Sequence, residues 1–261
     1  MMKALWVAKT GLEAQDTRMS VVSNNLANAN TTGFKQDRAV FEDLLYQTVR
    51  QPGGATTQQS DMPTGLMLGT GVRVAATEKN HAQGNMQQTG NALDVAIDGR
   101  GYFEIQMADG SLAYSRDGSF KLSAQGELVT AQGFLLQPPV NVPDGAQSVT
   151  IAADGTVSAK LADQAQPLEI GRITLTDFVN PAGLQPRGGN LYAETAASGP
   201  PQQGTPGLDG LGSLAQGALE ASNVNIVEEL VSMIETQRAY EMNSKAVSAA
   251  DDMLRFVNQQ L

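Results

Sequence analysis

The chain contains no cysteine, which excludes disulfides and thiolate-held metals and leaves the compartment undetermined. Its single histidine, His81, stands between Asn80 and Ala82 in a polar stretch. With no second histidine for a metal and no evident nucleophile to activate, it is expected to be a solvent-facing loop residue. Aromatic residues make up only 5% and charged residues 17% of the 261 positions. Large aromatic anchors are what thicken a core, so one core running through the whole length is not expected. Part of the chain is expected to need partners to become ordered. No apolar run approaches the roughly 18 residues needed to cross a bilayer as a helix. The apolar run at the amino end, Ala4 to Ala8, is closed by Lys9. It is short for a secretory signal and no small-residue cleavage site follows it. The net charge is −10, and the 17 basic residues are scattered rather than clustered, which argues against binding nucleic-acid phosphates.

What is abundant is turn chemistry and seven-residue spacing. Leu5, Leu12, Met19 and Leu26 recur every seven residues, with Ala8, Val22 and Ala29 three positions after members of that series. The spacing predicts a helix over residues 3–32, about 45 Å long, with a narrow apolar seam interrupted only by Gln15. Ile226, Met233, Tyr240, Val247, Leu254 and Leu261 form a second heptad line, widened by Leu230, Ile234, Ala250 and Val257. Ser222 or Asn223 offers a cap, and no Gly or Pro interrupts the pattern, so a second long helix is predicted over 222–261. Residues 1–35 carry four basic and two acidic side chains, and residues 222–261 carry three basic and six acidic. The resulting +2 and −3 modestly favour pairing the two ends, subject to salt screening.

Between them the chain reads as strand and turn. Residues 50–71 are rich in Gly, Thr, Gln and Pro, with few apolar anchors, and are expected to be extended and weakly self-stabilised. From about residue 72 to 180, short alternating runs (Leu93, Val95, Ile97; Phe103, Ile105, Met107; Phe120, Leu122) are punctuated by Asp-Gly pairs at 98–99, 109–110, 117–118, 144–145 and 154–155. A sixth pair lies at 209–210. This is a hairpin pattern. The Asp-Gly pairs do not supply the ligand spacing of a calcium loop, so they are expected to form turns. Phosphate loops, nucleophile–base pairs and a singled-out carboxylate pair are all absent from the pattern, and no cofactor, metal or catalytic residue is expected. The fold class expected is α+β. Long terminal helices pair as a coiled-coil-like layer around an inserted β-rich middle, with boundaries 1–35, 36–80, 81–221 and 222–261. Two such helices paired only with each other would be thin and marginal, so the missing burial is expected from other copies of the chain.

The crowded asparagines of Ser-Asn-Asn-Leu-Ala-Asn-Ala-Asn-Thr-Thr-Gly-Phe-Lys (23–35) look like a terminating helix, with Gly33 at the left-handed C′ position and Phe34 folded back toward Ala29. The same stretch resembles the amino-terminal signature of the bacterial flagellar rod and hook axial proteins. Asn-Val-Asn-Ile-Val-Glu-Glu-Leu-Val-Ser-Met-Ile-Glu-Thr-Gln-Arg-Ala-Tyr-Glu-Met-Asn-Ser-Lys (223–245) is similar to that family's other end. Leu-Asp-Val-Ala-Ile-Asp-Gly-Arg-Gly-Tyr-Phe (93–103) and Tyr-Ser-Arg-Asp-Gly-Ser-Phe (114–120) are similar to its middle. Length and the 50–71 insertion, followed by Gly-Leu-Met-Leu-Gly-Thr-Gly-Val (65–72), resemble the distal rod members. The resemblance implies a structural subunit that assembles with itself into a rigid helical tube, a torque-transmitting drive shaft with a central export channel. Its implied partners are proximal rod proteins below, hook protein above, the surrounding outer-membrane and peptidoglycan ring proteins, and the flagellar type III export apparatus. The implied location is the basal body, crossing the periplasm, reached without a cleavable signal peptide. Leu5, Leu12, Met19, Val22 and Leu26 would meet Ile226, Leu230, Met233, Tyr240, Val247 and Leu254 within and between copies, with Asn28 and Asn30 fixing register. A self-contained adhesin-like module with an intramolecular helical hairpin is the rival reading, and a cell-wall hydrolase comes third.

Overall fold

The computed structural model describes residues 2–51, 55–57, 60–61, 64–161 and 166–259, without the side chains of 2, 4, 55–57, 60–61, 254 and 257–259. The fold is α+β, with a helix at each end of the chain and strands between. It divides into two compact units. The first comprises 1–27, 37–78 and 225–261, and the second comprises 28–36 and 79–224.

In the first unit, α1 spans Met2–Ala27 and α2 spans Ile226–Gln259. The two run antiparallel. Gly11 lies against Asn243, Arg18 reaches Glu235 at 3.8 Å, and the Asn25 amide donates to Glu229 at 3.1 Å. A Cβ on Gly11 would sit 3.2 Å from the Asn243 amide nitrogen, so a larger residue here would have to displace the Asn243 side chain. The buried positions are Thr10, Ala14, Val22 and Asn25 on α1 and Glu229, Thr236 and Ala250 on α2. Glu229, Thr236, half-buried Asn243 and Ala250 recur every seven residues. Thus α2 presents a heptad line to α1, built of small and polar residues. The leucine and isoleucine line expected from the sequence lies beside it, because small side chains are what let the two backbones come close.

Helix α1 stops at Ala27, short of the predicted 32. Gly33 is left-handed as expected (φ +67°), but it lies six residues beyond the last helical residue. The stop is made instead by side chains. Asn25 accepts from the Asp37 N–H and donates to the Asp37 carbonyl, both at 2.8 Å, so the amide pairs with the next segment as a strand would. Asn28 then accepts from Thr31 through both its carbonyl and its side chain. At the other end the cap is Asn225, not Ser222 or Asn223. Its side chain accepts from the Val227 N–H at 3.1 Å, and Glu228 and Glu229 follow at the positive end of the helix dipole.

Residues 37–79 double back on themselves. Asp37–Asp43 pairs with Val72–Lys79, Gln47–Arg50 with Leu66–Leu68, and Ala55–Thr57 with Ser60–Asp61. The second pairing is antiparallel, Gln47 opposite Leu68, and shifts register between Thr48 and Arg50. The sequence predicted only an extended segment here. The pairing escapes a hydrophobic pattern because backbone hydrogen bonds hold this arm, while the side chains of Gln47–Arg50 and Leu66–Leu68 stay exposed.

The second unit holds the core. A seven-stranded sheet runs in the order Lys121–Leu122, Leu128–Val129, Leu135–Gln137, Phe103–Gln106, Leu112–Ser115, Leu191–Ala193, Gln185–Gly188. A three-stranded sheet comprises Ala146–Ile151, Thr156–Leu161 and Leu168–Arg172. Alternation along Phe103–Gln106 sorts the faces. Phe103 and Ile105 enter a core with Val95, Ile97, Phe120 and Leu136, while Tyr102 joins Tyr114, Phe178 and Tyr192 in a separate aromatic cluster. Each fully buried large apolar side chain contributes about 1.5–3 kcal/mol. Four of the six Asp-Gly pairs, at 109–110, 144–145, 154–155 and 209–210, lie in turns, whereas Asp98 ends a strand and 117–118 lies between strands. Asp109 accepts from the Ser111 N–H and hydroxyl, and Asp154 from the same groups of Thr156.

Candidate assembly surface

The residues expected to mediate assembly sort by exposure. Val22 is buried, Leu5, Leu12, Met19, Leu26, Met233 and Val247 are half-buried, and Ile226, Leu230 and Tyr240 are exposed. The side chain of Leu254 lies outside the described residues. Asn28 is half-buried and Asn30 exposed, both in the turn after α1 and so within the second unit. The amide that joins the helices is Asn25, 1% exposed. No heptad position marks it, and only its place in the asparagine cluster, beside Leu26, could have singled it out.

Around the expected residues the first unit leaves many more large apolar side chains in solvent. Trp6, Val227, Val231, Ile234, Met242 and Phe256 are all exposed, Val227 at 69%. On the arm, Tyr46, Val49, Leu66, Met67 and Leu68 are exposed, and Leu45 is 89% exposed. So many large apolar side chains in solvent make the first unit the candidate interaction surface of the chain. Where the arm passes α1, Lys3, Trp6, Val7, Gln47, Leu68, Gly69 and Thr70 line an open cleft of about 470 Å³. The Lys3 ammonium donates to the Gln47 side-chain oxygen at 2.6 Å across it.

Inside the second unit lie ionisable groups that sequence reading passed over. His81 is not a solvent-facing loop residue. Its Nδ1 is 2.7 Å from the Tyr102 hydroxyl and its ring meets Tyr192 edge-on. Burial, then the nearby Lys35, Arg116 and Lys79, hold its pKa down to about 4, so it is neutral at physiological pH. Burial pushes the Tyr102 phenol up to about 12. Beside them the Glu220 carboxylate takes the Lys35 ammonium at 2.6 Å on one oxygen and the Arg116 guanidinium at 3.2 Å on the other. Burial lowers the Lys35 pKa against the raising effect of Glu220. Among the described residues no three His, Cys, Asp or Glu side chains are grouped to hold a metal ion.

Comparison with known proteins accounts for these surfaces. Residues 5–35 match the family model described as flagella basal body rod protein. Residues 96–159 match the D1 domain of the flagellar hook protein FlgE/F/G, and residues 215–260 the carboxyl-terminal region of the flagellar basal body rod FlgEFG proteins. The flagellar basal-body rod protein FlgG of Buchnera aphidicola from Acyrthosiphon pisum is 52% identical over 99% of this chain and 100% of its own. That of Agrobacterium fabrum is 46% identical over the whole of both chains. The flagellar basal-body rod protein FlgF of Caulobacter vibrioides is 36% identical over 96% of each. A chain matched end to end in this way belongs to the flagellar basal-body rod protein family, which is a family of structural proteins and not of enzymes.

Proposed function

We propose that the chain is the subunit of the distal part of the flagellar rod, assembling with its own copies into a rigid helical tube that transmits torque around a central export channel. One observation carries this reading. The two terminal helices use small and polar residues on each other, and turn Ile226, Leu230, Ile234 and Tyr240 outward. An adhesin-like module with a self-sufficient hairpin would do the reverse. In the proposed tube the outward apolar faces pair between copies in coiled-coil-like fashion, joined by Leu5, Leu12, Met19 and Leu26. Contacts between unlike patches of identical chains generate open helical filaments when the rotation between neighbours does not close into a ring. Residues 1–35 and 222–261 form the inner layer and 81–221 the outer one, with 36–80 bracing neighbours. Proximal rod proteins, hook protein and the surrounding rings are the proposed partners. The proposed route is the flagellar type III apparatus, into the periplasmic basal body.

Electron microscopy of the concentrated protein tests the reading. Straight tubes are expected, and discrete particles at all concentrations would overturn it.

A further inference from the structure

The Glu220 side chain is fully buried and gathers four separate stretches of the second unit. Its carboxylate accepts from the Lys35 ammonium and from the Gly84 N–H at 2.8 Å on one oxygen, and from Arg116 on the other. Its backbone carbonyl accepts from the Gly33 N–H at 2.8 Å. Close by, Asn223 donates its N–H to Phe34, accepts from the Gln36 N–H, and donates its amide to the carbonyls of Asn80 and Ala82. The segments so tied are 33–36, which follows α1 in the chain, 80–84, the Arg116 strand end, and 220–223, which precedes α2. Each of the three family-matched regions supplies one charge: Lys35 from 5–35, Arg116 from 96–159 and Glu220 from 215–260.

The charges do not balance. Two cations, with side chains 1% and 4% exposed, share one carboxylate. Arg116 Nε has no acceptor among the described residues, and its guanidinium lies 5.1 Å over the Tyr102 ring. The backbone is also tight: a Cβ on Gly33 would lie 2.8 Å from the Arg116–Asp117 peptide. Among the described residues, the one anion supplied to both cations is the Glu220 carboxylate.

We propose that Glu220 is an electrostatic latch that fastens segments 33–36 and 220–223 to the rest of the β unit, and that its hold depends on its charge rather than on its shape. Without that charge Lys35 and Arg116 face each other unneutralised in a dry site, a cost that hydrogen bonds of the same geometry do not offset. The consequence is an asymmetry. Lys35→Met leaves Glu220 paired with Arg116 and Gly84 and removes a buried cation, whereas Glu220→Gln strands two.

Hydrogen exchange of the full-length protein, kept dilute, reads this out at the Gly33, Gly84 and Asn223 amides. Glu220→Gln is expected to speed exchange there on the order of a hundredfold, with the Phe103–Gln106 and Leu112–Ser115 strands little changed. Lys35→Met is expected to stay within about threefold of the parent, and the double variant to recover most of the loss. A Glu220→Gln protein as protected as the parent overturns the proposal, as does a Lys35→Met protein as open as Glu220→Gln. If Glu220→Gln does not fold, a folded double variant supports the latch, and a double variant that also fails overturns it.

Discussion

Asn25 shows how much one short amide does. It closes two hydrogen bonds with the Asp37 peptide and a third with Glu229. Asn25→Ala leaves the Asp37 backbone without that partner in a half-buried place, so a loss of about 1–2 kcal/mol is expected in denaturant unfolding of the monomer. Asn28→Ala and Asn30→Ala act elsewhere. On the proposed register role they change the helical parameters of the polymer, and unchanged geometry would refute that role. His81 gives a pH signature. Folded, it takes a proton only near pH 4, whereas the unfolded chain takes one near 6.5. Between those values the unfolded state binds more protons, so stability is full above pH 6.5 and falls as pH drops toward 4, by at most about 3 kcal/mol. Denaturation midpoints across that window should slope for the parent and flatten for His81→Phe. Asp109 and Asp154, whose carboxyls are held below 3.8 by bonds from Ser111 and Thr156, act only at lower pH.

At the level of elements, the outward face of α2 separates folding from assembly. Leu230 and Ile234 are exposed at 44% and 51%. Leu230→Asp and Ile234→Asp should therefore change monomer stability by no more than about 0.5 kcal/mol while abolishing tube formation in sedimentation assays. A normally sedimenting polymer would count against the apolar face as the contact. The arm offers a mechanical test. Deleting 50–71 should leave tubes that bend, because the proposed bracing is gone, and equally straight tubes would sink that idea. The elements also show what sequence reading reaches. Heptad spacing located both helices, and Asp-Gly pairs located two hairpins of the β unit, at 109–110 and 154–155, because each is a local pattern. It did not locate the face the helices turn to each other, since small residues on a heptad line carry almost no hydrophobic signal. The arm's pairing was hidden for the same reason. Lys35, Arg116 and Glu220 were illegible because 185 residues separate the first from the last, and a lone charge gives no hint of burial.

For the whole molecule, the contrast between the two units sets the expected behaviour before assembly. The first unit exposes most of its large apolar side chains, while the second buries a core of Phe103, Phe120, Ile97 and Leu136. Helices short of burial partners are marginal in water. Limited proteolysis of dilute monomer should remove α1 and α2 and leave a resistant product that retains Lys35 and Glu220, with helical signal rising on polymerisation. Termini fully resistant in the monomer would contradict this.

The position of Glu220 also orders events in time. It lies near the carboxyl end of the second unit, whereas Gly33 and Lys35 lie at its start. A contact spanning so much chain closes late, because the intervening loop must be ordered first. A polypeptide appearing amino end first therefore cannot fasten that unit until nearly all of it has emerged. Up to that moment Lys35 lacks its carboxylate partner.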